Sequence, residues 1–74
     1  MNLLNKSQAE AVYSAMVAMN NVGGMVDARM EDRRVIERSI GIWVYELLEG
    51  EWEPGERYSG QAEFAAAYEL EGAL

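Results

Sequence analysis

Seventy-four residues, 13 acidic against 6 basic and with neither cysteine nor histidine, give this chain a net charge of −7. That length accommodates one domain, residues 1–74, and no separate catalytic unit. Without Cys or His there are no disulfides, no Cys/His zinc sites and no nucleophile–imidazole pairs.

The first element reads as a helix over 7–20. Ser7-Gln8-Ala9-Glu10 has the capping-box pattern, and a start at Asn5 would instead put Gln8 at the third helical position. Ala9, Val12, Tyr13, Met16 and Met19 form one apolar stripe, with the small Ala11, Ala15 and Ala18 opposite. Asn20-Asn21-Val22-Gly23-Gly24 stops the helix, because Asn and Gly tolerate the left-handed backbone of a C-cap. This loop lacks the Lys-Ser/Thr ending of a phosphate-binding loop.

The second element reads as a long helix over 25–49. At helical spacing Val26, Met30, Ile36, Ile40, Trp43, Val44, Leu47 and Leu48 gather on one broad face, which makes Trp43 a core residue. Ala28, Val35 and Ile42 fall on nearly the opposite side. A helix apolar on two sides needs two covers, so these three are the expected dimer interface. Gly41, inside the run Ile40 to Tyr45 of β-branched and aromatic residues, supports an alternative, an α+β chain with a short hairpin around 40–53. Gly50 reads as a C-cap and Glu53-Pro54-Gly55-Glu56 as a tight turn. A third helix over 59–71, capped by Ser59, presents Phe64, Ala65, Ala67 and Tyr68 inward. The expected architecture is therefore all-α, a small three-helix domain. It is expected to dimerise, since a single core of this size rarely supplies more than about 3–5 kcal/mol.

The charge is unevenly placed. Residues 1–45 carry five acids and five bases, whereas 46–74 carry eight glutamates against Arg57 alone. Arg29, Arg33, Arg34 and Arg38 are interleaved with Asp27, Glu31, Asp32 and Glu37, a self-compensated surface rather than a basic patch, so direct nucleic-acid binding is not expected. The acidic segment with its aromatics, Glu46, Glu49, Glu51, Trp52, Glu53, Glu56 and Tyr58, is the candidate partner-binding site, suited to a protein with a basic surface. The glutamates lack the Asp/Asn spacing of a calcium loop, and no catalytic, metal or cofactor residue is assigned. The N-terminus carries no secretory signal pattern and no stretch approaches a membrane span, so a cytoplasmic protein is expected.

In size and acidity the chain resembles the small proteins with which phages and mobile elements block host machinery, anti-CRISPR and anti-restriction inhibitors among them. That likeness implies a stoichiometric inhibitor in the host cytoplasm that occludes a basic, nucleic-acid-handling surface. The alternative expectation is a structural or regulatory homo-oligomer, an antitoxin-like or assembly partner, working through its dimer face.

Overall fold

A computed structural model describes residues 2–70 as an α+β fold. Helix α1 (Lys6–Asn20) is followed by strands β1 (Asp27–Met30), β2 (Arg33–Arg38), β3 (Gly41–Leu48) and β4 (Glu51–Tyr58), and then by helix α2 (Gln61–Ala67). The strands form one antiparallel meander in the order β1-β2-β3-β4. This overturns the all-α three-helix expectation, and position 71 of the expected third helix lies outside the described residues. The hairpin alternative is the one realised, lengthened to Gly41–Tyr58 and joined by two more strands.

Helix α1 begins as its cap dictates. Asn5 and Gln8 form a reciprocal capping box, each side chain accepting the other's backbone N–H at 2.9 and 2.8 Å. The buried face is Ala9, Val12, Tyr13 and Met16. Helix α2 starts at Gly60 with no side-chain cap, so Ser59 does not cap it; the Ser59 amide donates to Glu63 instead.

The span expected to be one long helix is instead β1, β2 and β3. In a strand, side chains alternate between faces, and register aligns like faces across the sheet. Val35 pairs with Val44, and Glu37 with Ile42, so Val35, Ile42 and Val44 point to one side, under both helices. All three are at most 1% exposed. The expected dimer interface is corrected accordingly: the chain's own helices cover Val35 and Ile42, and Ala28 packs against the same core. The two-sided apolar pattern came from a strand apolar on both faces, not from a helix awaiting a second copy.

Two glycine-containing segments fix the hairpin. Glu49 and Gly50, at φ 51° and 84°, supply the two positive-φ positions of a two-residue hairpin turn, so Gly50 is a turn residue and not a helix cap. Pro54-Gly55 is not a turn. Tyr45 pairs with Pro54 and Val44 with Glu56, which leaves Gly55 as the extra residue of a bulge in β4. Because β4 is an edge strand, the missing proline N–H leaves no ladder bond unmade.

A buried carboxylate joins the layers. Glu37, 9% exposed, points inward from β2 and accepts from Asn20 Nδ2 of α1, the Val26 amide and Gln61 Nε2 of α2 at 3.1–3.3 Å. Its oxygens are satisfied by neutral donors from three separate segments, which is what makes its burial tolerable.

Candidate functional site

The β3–β4 hairpin gathers the acidic segment, but divides it between two faces. Glu46 pairs with Glu53 and Leu48 with Glu51, so these four share the helix-side face of the hairpin end. Together with Glu49 and Pro54 they line an open hollow of about 430 Å³. Like charges directly opposite each other are destabilising in a sheet. Glu46 and Glu53 stand in that relation, and among the described residues none of Glu46, Glu49, Glu51 and Glu53 forms an ion pair. Leu48 is 49% exposed beside them, an apolar centre within an anionic rim. Among the described residues no group of three or more acidic side chains is arranged to hold a metal ion.

Trp52 is not part of that hollow. It pairs with Leu47 between the inward Glu51 and Glu53, so its indole lies on the opposite face of the sheet, where Arg29 sits 5.9 Å from its ring centre. Trp43 lies on that outer face too. It is half-buried rather than in the core, with Arg57 and Arg38 5.1 and 6.0 Å from its ring. Strand alternation from the two-residue Glu49–Gly50 turn puts Trp52 outward, and the bulge at Gly55 resets only the residues after it, turning Glu56 and Tyr58 inward.

Glu56 and Tyr58 are turned inward and engaged within the chain. One oxygen of Glu56 accepts from the hydroxyls of Tyr58 at 3.0 Å and Tyr68 at 2.6 Å; the other accepts from the Leu3 amide at 3.0 Å. The Tyr68 hydroxyl in turn accepts from the Leu4 amide at 3.3 Å. This lock ties the segment before α1 to β4 and α2. Sequence spacing gives no sign of it, since Leu3, Glu56 and Tyr68 are joined only by the fold.

Burial, and then the hydrogen bond to Glu56, push the Tyr58 hydroxyl up to about 12 from its ordinary value of 10.0. The same two causes raise Tyr68 further. Because the neutral phenols are favoured in the folded chain, their contribution to stability is whole below pH 10 and is lost as the pH climbs towards about 12. Tyrosinate absorbance followed together with circular dichroism is expected to show these two tyrosines ionising only as the fold is lost. Ionisation of Tyr58 near pH 10 with the fold intact would contradict the lock.

No described helix is long and apolar enough to cross a membrane. Comparison of the chain with protein-family models, curated proteins and solved structures finds no match in any of the three.

Proposed function

We propose that this chain is a small acidic protein-binding module that acts by occupancy rather than turnover, docking the end of its β3–β4 hairpin on a basic surface of another protein. The observation that carries this reading is the hollow: four glutamates without ion-pair partners among the described residues, set around the exposed Leu48 at the end of the β3–β4 hairpin. Unpaired surface acids that cluster rather than disperse raise the local field and steer a cationic partner. An apolar side chain among them supplies the desolvated contact that converts an encounter into a complex.

The working surface is thus Glu46, Glu49, Glu51 and Glu53 with Leu48. Glu56 and Tyr58 hold the strand in place, and Trp52 serves the other face. A stoichiometric inhibitor of a nucleic-acid-handling protein in the host cytoplasm fits this surface, because such a protein carries the basic groove that the hairpin would occupy. The homo-oligomer reading has lost the face assigned to it, since Val35 and Ile42 are core.

The test is an affinity pull-down from host lysate with the intact chain at low and high salt. The reading expects a basic protein retained at low salt and released at high salt, because exposed charges are screened beyond about 10 Å at 0.1 M. Retention that is indifferent to salt, or retention of acidic proteins alone, would overturn it.

A further inference from the structure

The face of the sheet turned away from the helices has a chemistry opposite to that of the hairpin hollow. Four of the six basic residues, Arg29, Arg34, Arg38 and Arg57, project from it with Asp27 as the one strand acid, and so do both tryptophans. Arg34 is committed to Asp27 through two bonds of 2.9 and 2.8 Å, which draws that carboxyl below its ordinary range. The other three stand over tryptophan rings, and among the described residues none pairs with a carboxylate. The acids interleaved with them in sequence are elsewhere: Glu37 is buried on the far face, and Asp32 pairs with Arg33. The local neutralisation that argued against nucleic acid is therefore realised at Arg33 and Arg34 but, among the described residues, not at Arg29 and Arg38.

Trp43 and Tyr45 are outward neighbours on β3, about 6.8 Å apart at two residues of strand rise, and Trp52 continues the array on β4. Half-buried rings on this face, flanked by guanidinium groups that keep N–H donors to spare although Arg57 gives one to the Ile40 carbonyl at 2.8 Å, make a stacking platform of the kind that accepts bases without regard to sequence. A second copy laid on this face would bring arginines against arginines. The geometry points to this bare face as a binding surface for single-stranded nucleic acid, with bases on Trp43, Tyr45 and Trp52 and phosphates at Arg29, Arg38 and Arg57. This inference stands independently of the hairpin's role, although a partner that handles nucleic acid would offer a ligand to each face.

Both tryptophans lie on the proposed surface, so their emission reports occupancy directly. Titration of the intact chain with an oligothymidylate of about 12 nucleotides is expected to quench that emission, with half-saturation at about 1–100 μM. Three neutralised phosphates at about 0.7 counterions each predict an affinity loss of about 20-fold between 50 and 200 mM salt. Tyr45→Ala is expected to weaken binding about 5- to 100-fold, and Arg29→Glu with Arg38→Glu to abolish it, with circular dichroism confirming that each variant is folded. A hairpin variant carrying Glu49→Lys, Glu51→Lys and Glu53→Lys should still bind the oligonucleotide, which separates this proposal from the hairpin reading. Absence of quenching overturns the proposal. So does equal quenching by an oligoglutamate peptide, which would assign the face to acidic proteins, or a dimeric mass by light scattering that is lost in the Tyr45 variant, which would assign it to a second copy.

Discussion

Phe64→Ala is expected to leave the chain mostly unfolded at room temperature. Phe64 has no exposed surface; its ring meets Tyr58 edge-on at 5.5 Å between centres and lies 5.0 Å from Tyr68. Removing a buried phenyl ring typically costs about 3–5 kcal/mol, part lost transfer energy and part cavity. A single core of this size supplies a similar total, so the two nearly cancel. The loss would spread, because α2 is only seven residues long, lacks a side-chain cap and is held by this aromatic cluster and the Glu56 lock. The measurement is a urea titration followed by far-UV circular dichroism, with Val22→Ala as control. Val22 is 78% exposed, and its truncation should change stability by no more than about 0.5 kcal/mol. A Phe64→Ala variant with a midpoint close to the parent's would mean that the core lies elsewhere.

What could be read without the fold divides along physical lines. Helix α1 was legible because its signals are local, a cap pattern at one end, Asn and Gly at the other and one apolar stripe between, although the box that forms is the alternative Asn5/Gln8 and not Ser7–Glu10. The sheet was not legible because its central strand is apolar on both faces. Inward Ile42 and Val44 alternate with outward Trp43, Tyr45 and Leu47, which removes the two-residue period that marks a half-buried strand. What remains imitates a broad helical face, and Glu46-Leu47-Leu48-Glu49 strengthens the imitation with good helix formers. The signals that supported the hairpin alternative, and that the helical pattern outweighed, were the β-branched and aromatic run from Ile40 to Tyr45 and Gly41 within it. At φ 156°, with space for a Cβ only 2.9 Å from the Tyr58 carbonyl oxygen, Gly41 occupies a place no other residue fits well. Pro54-Gly55 carries a turn signature, and only knowing that β4 is an edge strand turns it into a bulge.

The candidate site shows the same division. Clustering of glutamates at 46–53 was visible as composition, and the fold brings four of them around one hollow. Their separation from Trp52 follows from strand alternation, and so was legible only on the hairpin alternative and not on the favoured helical reading. The same pleat takes arginines that alternate with acids in sequence and sorts them onto a face of their own. A chain of net charge −7 is in this way acidic on one side and cationic and aromatic on the other.

Charge reversal at the hairpin end carries the second large expectation. Glu49, Glu51 and Glu53 are exposed, and among the described residues no hydrogen bond or ion pair holds their side chains, so replacing them with lysine removes nothing the fold uses. Relief of the Glu46–Glu53 repulsion makes a small gain in stability the expected result for the Glu53 change. For a cationic partner, three attractions become three repulsions. Steering of this kind is worth about 10- to 1000-fold in association rate, and the loss should be greatest at low salt.

The most direct measurement is therefore the association rate of the captured partner with the parent chain and with the Glu49→Lys, Glu51→Lys, Glu53→Lys variant, each at low and high ionic strength. The account predicts a fall of at least about tenfold for the variant at low salt, narrowing as salt is added, with melting temperature unchanged or slightly raised. Equal rates for the two proteins, at a salt concentration where the parent binds, would remove the acidic hairpin from the interface and contradict the account.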